Sequence, residues 1–210
     1  RNDARINLAQ FYIARGRGAE AIGVLKAIES DDPNLAAKPE FRALRGAAYY
    51  LNREYEAALR DFHDPRLDGF AESAIWRAAT LAKMDDLKAA ADQFRAGDSI
   101  LRRYPQPLRS RLGLVRVEAA LATYDLQTAD SWLKELELDL DNMRRSEQGD
   151  VNYYLARLAI TNNDLETAYE LMDELIEGRD IRNAVRAEYM KINQGLKQGT
   201  MTEKQAIRAL

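Results

Sequence analysis

The chain has 210 residues, of which 46% are hydrophobic, so it is too apolar for a disordered protein. Its 31 basic and 34 acidic residues give a net charge of −3 at pH 7, which argues against a nucleic-acid-binding protein that works through bulk positive charge. The absence of cysteine excludes disulfides, thiolate metal sites and cysteine nucleophiles. No apolar run approaches the ~18–20 residues that a membrane span needs, so we expect no direct insertion into a membrane.

Residues 2–33 and 39–65 each contain two stretches with apolar or small residues at the i, i+3, i+4 spacing of an amphipathic helix. The first two stretches carry Leu8, Ala9, Tyr12, Ala21, Leu25 and Ile28. The next two carry Gly46, Tyr49, Tyr55, Ala58 and Phe62. A proline, Pro33 or Pro65, follows each pair of stretches, and proline disfavours the continuation of a helix. The pattern predicts two helix-turn-helix hairpins.

Three later segments, beginning at Asp86, Asp125 and Asp164, share the sequence Asp-Leu-x-x-Ala. Aspartate is a preferred helix N-cap because its carboxylate accepts hydrogen bonds from the unpaired amides of the first turn. The alanine four residues later marks a place where two helices approach too closely for a larger side chain. The hairpins predicted by this repeat cover residues 71–104, 108–142, 149–177 and, less clearly, 181–210.

Together these patterns predict an all-α protein, a single solenoid of six stacked antiparallel hairpins over residues 1–210. All five prolines fall between the hairpins. The last stretch carries Ala206, Ile207 and Leu210 on one face and lacks the polar outer face of a capping repeat. We therefore expect the chain to be a fragment of a longer protein, with exposed apolar ends through which it can self-associate.

The hairpins resemble the tetratricopeptide repeat (TPR) family, in which a small and an aromatic residue are followed by alanine, a large apolar residue and proline. These positions are matched in the second hairpin by Gly46, Tyr49, Ala58, Phe62 and Pro65. They are matched in the first by Ala9, Tyr12, Ala21, Leu25 and Pro33. The early tryptophan of the family is replaced in the five hairpins by Arg5, Arg42, Ala74, Gly113 and Asn152. The resemblance implies a right-handed α-solenoid whose first helices line a concave groove.

Residues with catalytic or metal-binding chemistry are few and scattered. His63, the only histidine, is predicted at the end of a helix, where it complements the helix dipole. The Gly-Arg-Gly segment at 16–18 lacks the third glycine and the Lys-Ser/Thr of a phosphate-binding loop. Neighbouring aspartates such as Asp85 and Asp86 fit helix caps, and no acidic segment has the spacing of a calcium loop. We therefore expect no enzyme activity, no cofactor and no metal site.

An arginine cluster surrounds Tyr104, at Arg102, Arg103, Arg109 and Arg111. It has three interpretations: a surface that stacks nucleic-acid bases, a dock for an acidic peptide, and a solvated loop between hairpins. The acidic balance of the chain and the single tyrosine disfavour the first, so we expect no nucleic-acid partner. The solvated loop is the simplest of the three.

The TPR pattern places three residues of each first helix on the groove. They are Ile6, Gln10 and Ile13, then Ala43, Ala47 and Tyr50, then Ile75, Ala79 and Ala82, then Leu114, Glu118 and Leu121, and last Tyr153, Arg157 and Ile160. The residues that we predict to bind a partner are Gln10, Ile13, Tyr50, Glu118, Leu121, Tyr153 and Arg157. A competing interpretation is that some of them only seal the packing between hairpins. In addition, either Tyr153 or Tyr154 must pack inward.

The sequence thus predicts a non-enzymatic protein–protein interaction scaffold whose groove binds a peptide or helix of a partner protein. The Lys and Asn clamp of co-chaperone TPR proteins is not reproduced at Ile6, Gln10, Ala43 or Ala47, so we expect no chaperone-tail adaptor. The alternative is a structural or assembly segment that packs against the rest of its own chain or self-associates. A cysteine-free, arginine-rich chain without the pattern of a signal peptide is compatible with both the bacterial cytoplasm and the periplasm, and the sequence alone assigns neither.

Overall fold

The computed structural model describes residues 2–209, which form thirteen α-helices and no strand. The helices are α1 (Asn2–Ala14), α2 (Gly18–Asp31), α3 (Pro33–Ala36), α4 (Pro39–Leu51), α5 (Tyr55–Phe62), α6 (Ala71–Lys83), α7 (Leu87–Leu101), α8 (Leu108–Ala122), α9 (Leu126–Glu137), α10 (Arg145–Thr161), α11 (Leu165–Glu177), α12 (Ile181–Gln198) and α13 (Glu203–Ala209). Two short 3₁₀ turns lie at Pro65–Leu67 and Leu140–Asn142. The all-α prediction is confirmed, whereas Leu210, predicted on the apolar face of the last helix, lies outside the described residues.

The turns inside the first five hairpins share one backbone conformation. Each contains a residue with a left-handed φ of 57° to 69°: Gly16, Arg53, Asp85, Tyr124 and Asn163. In four of these turns the amide of the next residue donates to the carbonyl five residues back, as from Glu54 to Tyr49 at 2.9 Å and from Asp164 to Ala159 at 2.8 Å. This is the Schellman arrangement that satisfies the last carbonyls of a helix. The second helix therefore starts at a fixed position after the first.

The repeated aspartates cap the helices that follow these turns. The Asp86 carboxylate accepts a hydrogen bond from the amide of Ala89 at 3.1 Å. Asp125 accepts one from Thr128 at 3.3 Å, and Asp164 accepts the equivalent bond from Thr167 at 3.3 Å. The capping role predicted for these aspartates is confirmed.

Small residues lie where neighbouring helices approach closely. The signature alanines are fully buried, as predicted: Ala21, Ala58, Ala90, Ala129 and Ala168. A Cβ atom added at Gly46 would lie 2.8 Å from the Phe62 ring. A Cβ atom added at Gly97 would lie 2.3 Å from Ile75 Cγ1. The contacts at Gly46 and Gly97 therefore leave no room for a Cβ atom unless the neighbouring helix moves.

The helices group into two compact units, the first ending at Tyr124 and the second beginning at Asp125. In the first unit, α1 packs on α2, α4 on α5 and α6 on α7, and successive pairs contact through α2–α4, α5–α6 and α7–α8. The first helices also touch in order, α1 with α4, α4 with α6 and α6 with α8. The core of this unit includes the fully buried side chains of Leu25, Ile28, Phe62, Ile75, Phe94, Leu101, Leu112 and Val117.

The second unit is built from α9 to α13. Here α10 packs on α9, α11 and α12, while α13 packs on α12. Its core contains Ala156, Ala159, Ala168, Met172, Leu175, Ala187 and Met190. The boundary between the units falls in the turn of the hairpin predicted over residues 108–142. A single solenoid over residues 1–210 therefore stays a prediction.

Candidate functional site

A groove of about 550 Å³ lies in the first unit, and we call it the α1–α6 groove. Its apolar lining includes Ile6, Ile13, Phe41, Ala43, Leu44, Ala47, Phe70, Trp76, Tyr104, Pro105 and Leu108. Four exposed polar side chains border it: Gln10, Lys38, Glu40 and Glu72. The first helices of three successive pairs thus present one largely apolar concave surface.

The shape of the groove follows from side-chain size along α4. Ala43 and Ala47 are four residues apart, so both lie on the face of α4 that borders the groove. Neither has an atom beyond Cβ, which leaves space above the α4 backbone. The larger side chains of Ile6 on α1 and Trp76 on α6 also line this space.

A row of aromatic rings runs beside the groove. The centroid of the Tyr50 ring is 5.7 Å from that of Tyr55 and 5.6 Å from that of Trp76. Trp76 in turn lies 6.3 Å from Tyr104. Burial raises the pKa of both Tyr50 and Tyr104, so each hydroxyl stays protonated even well above neutral pH. The Tyr104 hydroxyl donates a hydrogen bond to Glu72 Oε1 at 3.2 Å.

The charges at the groove differ from those on the opposite side of α4. There, Arg45 makes two hydrogen bonds to the buried Asp61, at 2.8 and 2.7 Å, and a third to Glu29 at 2.8 Å. At the groove, Glu40 and Glu72 have no basic group within 4 Å among the described residues. Neither carboxylate therefore forms an ion pair with a described residue, although Glu40 lies near enough to Arg66 for its charge to help raise the pKa of that guanidinium.

Five of the predicted positions meet at this groove: Ile6, Gln10, Ile13, Ala43 and Ala47. Gln10 and Ile13 are two of the residues predicted to bind a partner, and their binding role stays a prediction. Tyr50, a third, lies in the aromatic row.

The two predicted residues on α8 do not line the groove. Glu118 forms an ion pair with Lys83 at 3.6 Å, within the first unit. Leu121 is buried, with 7% of its surface exposed. Both residues therefore make contacts within the first unit, and neither belongs to the lining of the groove.

Tyr153 and Arg157 belong to the second unit. Tyr154 is the inward side chain of the tyrosine pair, with 5% of its surface exposed, whereas Tyr153 is half-buried. The Arg186 guanidinium carbon lies 3.6 Å from the centre of the Tyr153 ring, and Arg157 lies 5.8 Å from that of Tyr154. Asp150 in turn binds Arg186 at 2.8 Å. One face of Tyr153 is therefore covered by its own unit.

The TPR pattern is shifted by one residue on α6. It selects Ile75 for the groove, but Ile75 is fully buried against Gly97 of α7, and Trp76 lines the groove instead. The pattern also omits Phe70 and Tyr104, which come from the connections before α6 and after α7. The one sequence signal for Trp76 is its rarity, since the chain has only two tryptophans.

Catalytic and metal-binding constellations are not found in the part of the chain that the structure describes. His63 is exposed at the C-cap of α5. Among residues 2–209, no group of three His, Cys, Asp or Glu side chains is placed to hold a metal ion. No described helix combines the length and the apolar character that crossing a bilayer requires. In the arginine cluster, Arg102 donates a hydrogen bond to Asp98 at 3.1 Å. The same carboxylate accepts a hydrogen bond from the buried Arg116 at 3.2 Å.

Comparison with known proteins gives no relative from which a function can be transferred. No protein-family model, no curated protein and no solved structure matches the chain. The fold and the groove define an all-α protein of packed helix pairs with an apolar concave surface in its first unit. The resemblance to TPR proteins depends on the residues quoted above.

Proposed function

We propose that this protein is a non-enzymatic interaction scaffold, a right-handed TPR-like α-solenoid that binds a peptide or helix of a partner protein. The observation that carries the proposal is the α1–α6 groove, an apolar surface of about 550 Å³ along the first helices of successive pairs. The bordering residue Phe70 is 55% exposed although it is large and aromatic. Extended or helical segments with apolar anchor residues are the usual occupants of such grooves.

The packing around the groove supports a preformed binding surface. Trp76 is held between the rings of Tyr50 and Tyr104, and Ala47 is 3% exposed on a well-packed α4. A rigid surface loses little conformational entropy on binding, so more of the apolar contact appears as affinity. Each fully buried apolar anchor of a partner contributes ~1.5–3 kcal/mol, so several anchors are needed to offset the cost of association, about 4–15 kcal/mol.

The test is a selection of peptides from a random display library on the full chain. Ala43→Trp fills the groove, because the Ala43 side chain is half-buried and lines it. Ala27→Trp is the matched control, since Ala27 is exposed on α2 and does not line the groove. Circular dichroism melting first establishes that both variants are folded. We expect selected peptides to lose affinity at least tenfold for Ala43→Trp and to keep it for Ala27→Trp.

Two outcomes would contradict the proposed function. One is that the library yields no peptide that binds the folded chain. The other is that every selected peptide binds Ala43→Trp as tightly as the unmodified protein.

A second candidate function is assembly, and a stripe on α12 favours it. Ile181, Val185 and Tyr189 lie four residues apart on one face and are 79%, 57% and 57% exposed. Large apolar side chains exposed together on one helix face are a candidate interaction surface. Light scattering coupled to size exclusion tests it. Assembly predicts a mass above the monomer that Val185→Glu reduces, whereas a monomer at high concentration counts against it.

A further inference from the structure

We infer that the α1–α6 groove selects partner segments in which a large apolar side chain lies next to a lysine or arginine. This inference rests on the proposed function and names the chemistry of the partner. It follows from three properties of the groove: its apolar lining, its two carboxylates that form no ion pair within the described chain, and the aromatic row beside it.

The groove has a net negative charge. Its charged lining residues are Glu40, Glu72 and Lys38, so one negative charge is in excess. None of the three forms an ion pair with another described residue. A basic side chain of a partner therefore complements the lining, whereas an acidic one is repelled by two carboxylates.

Glu72 is positioned to receive such a cation. Its Oε1 atom accepts the hydrogen bond from the Tyr104 hydroxyl, and Tyr104 packs against Trp76. This anchoring restricts the carboxylate on the border of the groove, and no described residue donates to Oε2. Glu72 and Trp76 are four residues apart on α6 and both line the groove, so a cation bound at Oε2 lies on the same side of the helix as the Trp76 ring.

The carboxylates also have a structural explanation, which the experiment has to separate from binding. Glu40 and Glu72 lie in the first turns of α4 and α6, where the helix dipole favours acidic residues. Glu56 has the same position in the first turn of α5 and is exposed, but it does not line the groove. Glu56→Gln is therefore the matched control for Glu72→Gln, because both variants lose a first-turn charge.

The experiment begins with peptides from the display selection that lose binding to Ala43→Trp. Their sequences are expected to be enriched in Lys or Arg beside an aromatic or large aliphatic residue. Synthetic, fluorescently labelled copies are then titrated by anisotropy into the full chain and its variants. We expect Glu72→Gln to weaken binding about fivefold or more, Glu56→Gln to leave it unchanged, and added salt to weaken binding to the unmodified protein. A peptide with its basic residue changed to Glu is expected to bind Glu72→Lys better than it binds the unmodified protein.

The outcomes separate this inference from the proposed function. Groove-dependent peptides without basic enrichment, or with equal affinity for Glu72→Gln and the unmodified protein, overturn the basic-partner inference alone. Acidic peptides that depend on the groove also overturn it. Failure to find any groove-dependent peptide overturns both.

Discussion

The close packing of α6 on α7 can be tested by replacing glycine with alanine at two positions, where we expect opposite effects on the free energy of unfolding. Gly97 and Gly23 both lie inside helices, where replacing glycine by alanine gains about 1 kcal/mol of helix propensity. A Cβ atom at Gly23 meets nothing within 4 Å. A Cβ atom at Gly97 lies 2.3 Å from Ile75 Cγ1 and 2.7 Å from the carbonyl oxygen of Ala71.

The magnitude at Gly97 follows from these contacts. Both distances are much shorter than the ~3.5–4.0 Å at which nonbonded atoms attract each other, so the atoms repel. Ile75 is fully buried and cannot swing into solvent, and the Ala71 oxygen belongs to the backbone, so α6 and α7 must separate. Overpacking costs about 1–3 kcal/mol, and because one of these contacts is with the backbone we expect the upper part of that range, about 2–3 kcal/mol, which exceeds the gain in propensity. We expect Gly97→Ala to lower the free energy of unfolding by about 1–2 kcal/mol and Gly23→Ala to raise it by about 0.5–1 kcal/mol.

Urea unfolding followed by circular dichroism at 222 nm measures both variants against the unmodified chain. Because the chain has two compact units, the curves are first tested for a single transition. Both glycines lie in the first unit, so the same transition reports on them. If Gly97→Ala is as stable as Gly23→Ala, the close approach of α6 and α7 is wrong.

Three further predictions concern other features of the fold. Ala58→Leu and Ala129→Leu are each expected to destabilise by about 1–3 kcal/mol in urea, and neutral results would contradict the close helix contacts at these alanines. Tyr124→Gly is expected to stabilise by about 0.5–1 kcal/mol, because Tyr124 is 79% exposed and has a left-handed φ of 57°; a destabilised variant would show that its ring makes important contacts. Hydrogen bonds from Arg66 hold the pKa of the Asp64 carboxyl well below its usual range. The ionised carboxylate therefore stabilises the folded state, and this contribution is complete above about pH 4 and is lost as the pH falls toward the folded pKa. Urea midpoints at pH 5 and pH 3 are therefore expected to differ less in Arg66→Gln than in the unmodified chain, and an equal difference would argue against this ion pair.

The features that could be predicted from the sequence are those fixed by neighbours along the chain. An aspartate cap bonds to an amide three residues away, as Asp86 does to Ala89. A buried alanine such as Ala90 follows at a constant position in the same turn of helix. Both depend on local hydrogen bonds and helical spacing, so one sequence suffices to predict them.

The residues that were missed are positioned by contacts between distant parts of the chain. Ile75 turns toward α7 because Gly97, 22 residues later, leaves space for it, and this rotation brings Trp76 to the groove. Tyr153 is covered by Arg186 from α12, which periodicity on α10 alone cannot reveal. The register of one helix against the next decides such positions, and a repeat pattern fixes that register only to within a residue.

The chain has a fixed length between each left-handed turn and the buried alanine that follows it, whereas the connections between hairpins vary in length. In the first five hairpins the left-handed residue precedes the buried alanine by five positions: Gly16 and Ala21, Arg53 and Ala58, Asp85 and Ala90, Tyr124 and Ala129, Asn163 and Ala168. One inserted residue in this interval would rotate the following helix by about 100° and carry the alanine off the contact. The alanines are nevertheless 32 to 39 residues apart, and the connections that follow the second helices hold α3 and both 3₁₀ turns. Those connections, and not the hairpin turns, are the places where the chain can be lengthened, cut or fused to another domain without disturbing the helix contacts.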